Sequence, residues 1–90
     1  MTEIVKKAWA GTLESSDAYV EIEPAEGGVT VELQSVVQVQ FGASIEAAVR
    51  DVLQQQGVEQ AFVRVMDRGA LECVLRARVE TAVLRGKEVQ

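Results

Sequence analysis

Two adjacent hydroxyl groups, those of Ser15 and Ser16, are the most chemically usable side chains near the amino terminus. They lie between the carboxylates of Glu14 and Asp17, at the end of the stretch Ala-Gly-Thr-Leu-Glu-Ser-Ser-Asp. A serine hydroxyl can be a nucleophile, a cap, a phosphate acceptor or an attachment point. A nucleophilic serine requires a neighbouring base, most often histidine, and this chain contains no histidine. Catalysis by an activated serine is therefore not expected.

The other reactive side chains also predict no catalytic residue and no metal site. Cys73 is the single cysteine, and its apolar neighbours in a helical pattern predict a buried thiol that packs like a small hydrophobic side chain. Without a second cysteine or a histidine, neither a thiolate zinc site nor a cysteine–histidine nucleophile can form. Glu14 and Asp17 could form an acid/base pair, but carboxylates beside turn serines more often cap backbone amides.

The composition predicts one small soluble domain over residues 1–90. A chain of 90 residues can bury a single core, and an apolar fraction of 48% with only 4% aromatic residues predicts an aliphatic one. The net charge of −5 disfavours binding to nucleic acid, which depends on neutralising phosphates. The absence of a signal peptide and of an apolar run of roughly 18 residues predicts a cytoplasmic protein without a membrane span.

The charge is unevenly distributed along the chain. Residues 1–63 carry 3 basic and 10 acidic groups, whereas residues 64–90 carry 6 basic and 4 acidic groups. This distribution fits either two differently solvated faces or a docking surface. Arg76, Arg78 and Arg85 lie in the basic part, where we expect solvated or paired helix charges rather than anion ligands.

Hydrophobic periodicity predicts four strands and two helices. The predicted strands are residues 7–13, 18–23, 28–33 and 61–66, and the predicted helices run from after Ser35 to near Gln56 and over residues 70–84. Ser35 is the expected N-cap of the first helix. Pro24 and the Gly27-Gly28 pair predict a hairpin that joins the second and third strands. Residues 1–7 are expected to be frayed or to form an edge strand.

The order of these elements predicts an α+β fold. We expect a small two-layer sandwich, with two amphipathic helices packed on one face of a three- to four-stranded mixed β-sheet. The apolar faces of the helices are predicted to be Val37, Phe41, Ile45, Ala48, Val49, Val52 and Leu53 in the first, and Leu71, Leu75, Val79, Ala82 and Val83 in the second. An acidic domain of this kind with an exposed serine pair fits a carrier or a binding module.

Three separated segments carry a resemblance to a known family. They are residues 10–17, quoted above, Gln40-Phe41-Gly42, and residues 67–80, Asp-Arg-Gly-Ala-Leu-Glu-Cys-Val-Leu-Arg-Ala-Arg-Val-Glu. Over nearly its whole length the chain resembles the acyl carrier (gamma) subunits of citrate lyase. It departs from their pattern at Arg68, where lysine is common.

The resemblance implies a non-catalytic, cytoplasmic bacterial carrier that functions in citrate fermentation. The attachment residue of the family is the serine directly after Leu-Glu, which is Ser15 here, while Ser16 matches a position that can be glycine. Ser15 would hold a phosphoribosyl dephospho-coenzyme A group through a phosphodiester, making the chain a phosphoprotein. The pantetheine thiol of that group, not Cys73, would carry acetyl and citryl. The implied partners are the alpha (acyl transferase) and beta (lyase) subunits, a prosthetic-group transferase and an acetate ligase.

Two alternatives remain beside the citrate lyase carrier. One is the related acyl carrier subunit of malonate decarboxylase, which uses the same type of group. The other is an unmodified α+β interaction or regulatory domain, in which the serines only form a turn.

Docking of the partner subunits is expected to depend on charge rather than on a large apolar patch. The acidic group closest in sequence to the attachment point is Glu14, Asp17, Glu21 and Glu23. The alternative docking face is the basic one that includes Arg76 and Arg78.

Overall fold

The computed structural model describes residues 3–35 and 38–88, and within the second range the side chains of residues 38–41 lie outside the description. Four strands and two helices follow one another along these ranges. They are β1 (Ala8–Gly11), β2 (Ala18–Glu23), β3 (Val29–Ser35), α1 (Gln38–Gln55), β4 (Ala61–Asp67) and α2 (Glu72–Gly86). The predicted α+β class is confirmed, although the first strand is shorter than predicted.

The strands form one mixed sheet in the order β1-β2-β4-β3. The β1–β2 and β2–β4 pairs are antiparallel, and the β3–β4 pair is parallel. The predicted hairpin between β2 and β3 is therefore wrong, because β4 lies between these strands. Gly27 and Gly28 have the expected positive φ values, 87° and 106°. The turn nevertheless carries the chain past the end of β4, where the carbonyl of Gly28 accepts a hydrogen bond from the N–H of Ala61 at 3.2 Å.

The central position of β4 follows from its residues and from the helix before it. Its side chains alternate, and Ala61, Val63 and Val65 are fully buried on the core face. A parallel pair of strands needs a long crossover, usually a helix, and α1 provides it between β3 and β4. β4 therefore hydrogen-bonds on both edges.

Both helices cover the same face of the sheet, which confirms the predicted two-layer sandwich. The largest fully buried side chains come from both layers: Ile22, Leu53, Val20, Val49, Val63, Val65, Val79 and Val83. Within the described residues no helix covers the opposite face of the sheet, and Trp9, Tyr19 and Phe62 project from it half-buried or exposed. Neither α1 nor α2 is both long and apolar enough to cross a bilayer.

The role of Ser35 as the N-cap of the first helix stays a prediction, because residues 36–37, between Ser35 and the helix, lie outside the described residues. Ser35 is the last residue of β3, and its hydroxyl donates a hydrogen bond to Oδ2 of Asp67 at 2.8 Å. The first helix begins later, at Gln38. The predicted core positions Val37 and Phe41 lie outside the described side chains.

The segment before β1 is tied to the end of α2, so residues 4–6 are neither frayed nor an edge strand, and both predicted alternatives are wrong for them. The N–H groups of Val5 and Lys6 both donate to the carbonyl of Gly86, at 3.0 and 3.2 Å. Ile4 is buried in the core beside them. A Cβ on Gly86 would lie 3.2 Å from Cγ2 of Ile22 and 3.3 Å from Cγ2 of Ile4, so a larger residue here would have to displace these side chains by a few tenths of an ångström.

Candidate attachment site

The serine pair lies in the loop between β1 and β2, and a glycine at the start of this loop allows the two strands to approach. Gly11 has a φ of 90°. A Cβ at this position would lie 1.8 Å from the carbonyl oxygen of Ala18, whereas real Cβ contacts stay above 3.0 Å. Only glycine fits here without a shift of the backbone. Gly11 thus fixes where the loop leaves the sheet.

Ser15 occupies the first central position of a tight turn and is exposed. The N–H of Asp17 donates to the carbonyl of Glu14 at 3.2 Å, which closes the turn. Ser16 has a φ of 67°, and a positive φ at the third residue is the mark of a type II turn, where glycine is favoured. Within residues 3–35 and 38–88 the hydroxyl of Ser15 makes no hydrogen bond. That hydroxyl is therefore accessible from solvent.

Asp17 holds the loop to the helical layer. Its carboxylate accepts hydrogen bonds from Nε and Nη2 of Arg78 at 2.9 and 3.0 Å, and from the hydroxyl of Thr12 at 2.7 Å. It also accepts a hydrogen bond from the N–H of Ala18 at 2.7 Å, so the predicted capping role is confirmed. The Arg78 guanidinium, followed by Thr12 and the Ala18 amide, holds the pKa of Asp17 well below its usual range. A carboxylate stabilised in this way is a poor general base.

The backbone of the loop is joined to the segment that follows β4. The N–H of Ser16 donates to the carbonyl of Arg68 at 2.8 Å, and the N–H of Arg68 donates to the carbonyl of Asp17 at 2.9 Å. Buried Asp67 supports this second segment by accepting a hydrogen bond from the N–H of Ala70 at 3.0 Å. Two of the segments that carry the family resemblance, residues 10–17 and 67–80, thus meet at the serine turn.

The predicted burial of Cys73 is wrong. Cys73 is exposed on the first turn of α2. The buried face of this helix begins at Leu75 and continues through Val79, and a residue two positions before Leu75 points away from that face. Leu71, predicted to start the apolar face, precedes the helix and is 71% exposed.

The acidic residues near the turn differ in whether their carboxylates form ion pairs. Glu21 accepts a hydrogen bond from the hydroxyl of Tyr19 at 2.9 Å, and it lies 3.7 Å from Nζ of Lys7 and 3.6 Å from Nη1 of Arg64. Its charge is therefore balanced within the fold, as is that of Asp17. Glu14 and Glu23 have no ion pair in the part of the chain that the structure describes, so the predicted acidic docking group is reduced to these two.

The predicted pairing of the α2 arginines is confirmed. Arg76 forms ion pairs with Asp51 of α1 at 2.7 Å and with Glu72 at 3.0 Å. Arg85 donates a hydrogen bond to the carbonyl of Trp9 at 2.8 Å. Sequence reasoning did not identify the partner of Arg78, which is Asp17, 61 positions earlier. The available signal was the presence of both residues in the segments that carry the resemblance.

A family match and a solved structure define the class of protein. The family described as "ACP: Malonate decarboxylase delta subunit (MdcD)" matches residues 5–86. A chain in the crystal structure of a Pseudomonas malonate decarboxylase hetero-tetramer in complex with malonate is similar in structure, with a TM-score of 0.80. The similarity covers 93% of this chain and 87% of that one, at 21% sequence identity, and shows the fold alone. The family match gives the class, an acyl carrier protein.

More similar relatives narrow this class. The citrate lyase acyl carrier protein 2 of Salmonella typhi is 56% identical over 87 residues, which cover 96% of this chain and 90% of that protein. The citrate lyase acyl carrier protein of Klebsiella pneumoniae is 58% identical over 82 residues, which cover 90% of this chain and 84% of that protein. The chain belongs to the family of citrate lyase acyl carrier proteins, as its sequence motifs indicate.

Proposed function

We propose that this chain is the acyl carrier subunit of a citrate lyase and that Ser15 is its attachment residue. Among the described residues both serine hydroxyls are exposed and unbonded, so the observation that carries the assignment is the position of Ser15 as the first central residue of the turn. Ser16 is a weaker candidate, because its own N–H is bonded to Arg68 and its backbone has the positive φ that suits glycine. Residues 1–90 act as one acyl carrier domain.

The residues around Ser15 fit a phosphodiester-linked group derived from coenzyme A. A serine hydroxyl can form the phosphate ester, and the exposed turn leaves room for a large substituent. The group is phosphoribosyl dephospho-coenzyme A, and when bound it supplies a thiol on a long flexible arm that carries the acyl substrate. Because this arm provides the reach, the fold itself needs no enclosed pocket.

The residues of this chain act by presenting one serine in a fixed position. The Asp17–Arg78 ion pair and the two backbone hydrogen bonds to Arg68 hold both ends of the turn, while Ser15 between them stays accessible. A fixed, accessible hydroxyl lowers the ordering cost of binding to a modifying enzyme. The chain provides the attachment point, and the catalytic residues are on the partner subunits.

Four partner proteins act on this chain in turn. The prosthetic-group transferase modifies Ser15, an acetate ligase loads the thiol, and the alpha and beta subunits of citrate lyase then exchange and cleave the acyl group. The products are acetate and oxaloacetate, and the protein works in the cytoplasm.

Intact mass spectrometry tests this assignment directly. The wild-type chain, Ser15→Ala and Ser16→Gly are each co-produced with the prosthetic-group transferase. The wild type and Ser16→Gly are expected to gain the mass of the group, because glycine fits the positive φ of Ser16, and Ser15→Ala is expected to gain nothing. Peptide mapping that places the adduct on Ser16 would contradict the residue assignment but not the carrier function. An unmodified wild-type chain would favour the interaction domain.

The malonate decarboxylase carrier is the second candidate, because the matching family is described by that name. Transfer assays distinguish the two. The holo chain is expected to accept acetyl and citryl from citrate lyase subunits, and acceptance of malonyl from malonate decarboxylase subunits alone would reverse the assignment.

A further inference from the structure

Arg68 is held directly beside the serine turn by its backbone. Its N–H and its carbonyl are bonded to Asp17 and Ser16, at 2.9 and 2.8 Å. Backbones paired in this way are about 5 Å apart, and Ser15 is one residue, about 3.8 Å, further along the turn. An extended arginine side chain spans this distance. Arg68 is exposed, so its side chain is free to turn towards Ser15.

The charge of Arg68 is not used by the fold. Among residues 3–35 and 38–88 its guanidinium forms no ion pair or hydrogen bond, whereas the other five arginines all do. Those five bond to carboxylates or to backbone carbonyls: Arg50 to Glu46 and Val29, Arg64 to Glu21 and Glu32, Arg76 to Asp51 and Glu72, Arg78 to Asp17, and Arg85 to Trp9. As far as the described residues show, the one arginine whose guanidinium has no partner is thus the one joined to the serine turn.

The turn itself would repel an anion without such a cation. Glu14 precedes Ser15 and its carboxylate has no ion pair among the described residues, while the charge of Asp17 is balanced by Nε and Nη2 of Arg78. A phosphodiester on Ser15 adds a further negative charge next to Glu14. Arginine is suited to this ligand, because its planar fork can donate two parallel hydrogen bonds to phosphate oxygens.

We propose that the guanidinium of Arg68 binds the phosphodiester attached to Ser15 through its non-bridging oxygens. The ligand class of this site is a phosphate diester monoanion. The interaction neutralises the added charge. This inference rests on the proposed attachment at Ser15.

Nitrogen NMR of the wild-type chain tests the contact without any mutation. The apo and holo forms are labelled with ¹⁵N, and the position of the adduct is established by peptide mass mapping. The Nε–Hε signal of Arg68 is expected to shift between the apo and holo forms, because its donor acquires an anionic acceptor. The same signal of Arg50 is the internal control and should not move, since its Nε is already bonded to Glu46 on α1.

A charge-matched pair of variants tests the same contact during modification. Arg68→Gln removes the cation but keeps both backbone hydrogen bonds, and Lys87→Gln removes the same charge at the far end of α2. At low salt, Arg68→Gln is expected to slow modification of Ser15 about fivefold, as for a partly exposed charge-assisted contact. Lys87→Gln should match the wild type. The deficit should shrink as salt is added.

The outcomes separate this inference from the proposed function. An adduct on Ser15 with an unchanged Arg68 signal would overturn the contact and leave the carrier function intact. Slower modification of Arg68→Gln together with an unchanged signal would mean that Arg68 binds the modifying enzyme, and would also overturn the contact. If no residue is modified, both proposals fail. Should Arg68→Gln not fold, the wild-type NMR comparison still decides.

Discussion

Replacing Gly11 by alanine is the sharpest test of how the fold positions Ser15. The new Cβ would lie 1.8 Å from the carbonyl oxygen of Ala18, on backbone with a φ of 90°. Gly27 provides a matched control, because its φ is 87° and a Cβ there meets nothing within 4 Å. The two substitutions share the conformational strain and the loss of unfolded-state entropy, so their difference isolates the contact with Ala18.

The magnitude follows from these two terms. Left-handed backbone costs a non-glycine residue about 1–2 kcal/mol, which is the whole expected effect of Gly27→Ala. At Gly11 the Cβ must also move to at least 3.0 Å from the Ala18 oxygen, so the backbone must shift by about an ångström. Such forced shifts cost about 1–3 kcal/mol, which gives Gly11→Ala a total loss of about 2–5 kcal/mol. For a domain of this size, each lost kcal/mol lowers Tm by about 4–8 °C.

Urea and thermal unfolding followed by circular dichroism measure this difference. Gly11→Ala is expected to unfold at least ~1 kcal/mol more easily than Gly27→Ala, and to be modified at Ser15 more slowly under conditions where both variants remain folded. Equal unfolding free energies for the two variants would refute the requirement for glycine at the start of the loop. Equal modification rates alongside a large stability loss would show that the loop reaches the enzyme in a rearranged form.

Three further predictions follow from individual side chains. Cys73→Ala should change the unfolding free energy by less than about 0.5 kcal/mol and leave acyl transfer intact. The Cys73 thiol of the folded wild-type protein should react with iodoacetamide, and protection from this reagent would contradict its exposed position. Because Arg78 keeps the pKa of Asp17 below its ordinary value of about 3.9, the ion pair stabilises the fold above that pH and loses its effect as pH falls through the lowered pKa. The stability deficit of Asp17→Asn should therefore shrink on acidification, and a constant deficit from pH 7 to pH 2 would argue against the pair. Charge reversal at Glu14 and Glu23 should slow acyl transfer at low salt. The difference from the wild-type rate should shrink as salt is added, because salt screens charges beyond a Debye length of ~10 Å at 0.1 M. Unchanged rates at low ionic strength would place docking on another face.

The sequence predicts those elements of the fold whose signal is local. Alternating residues in β2 and β4 and helical spacing in α1 identify these segments, because each buries one face against a single opposite layer. The pairing of the strands has no such local signal. The turn at Gly27 and Gly28 reverses the chain but leaves room for a strand between its arms, and β4, which fills it, comes from more than thirty residues later.

At the candidate site, too, local features are predicted from the sequence and long-range contacts are not. Leu-Glu-Ser-Ser-Asp predicts an exposed turn, and the structure has one at Ser15. The groups that hold this turn, Arg68 and Arg78, come from the last quarter of the chain, and neither periodicity nor composition pairs them with it. The error at Cys73 has a local cause. The apolar residues next to Cys73 in sequence suggest burial, but Cys73 lies two positions before Leu75 and therefore on the side of α2 opposite to the buried face.

The contacts of the serine turn with Arg68 and Arg78 have a consequence for synthesis of the protein on the ribosome. Ser15 emerges early, but its turn is bonded to Arg68 and Arg78, which are translated more than fifty residues later. A nascent or truncated chain that lacks them has the serine without the shape that presents it. A modifying enzyme that recognises the held turn would therefore act on finished chains and pass over incomplete ones. Loading of the prosthetic group would then double as a check that the chain has folded.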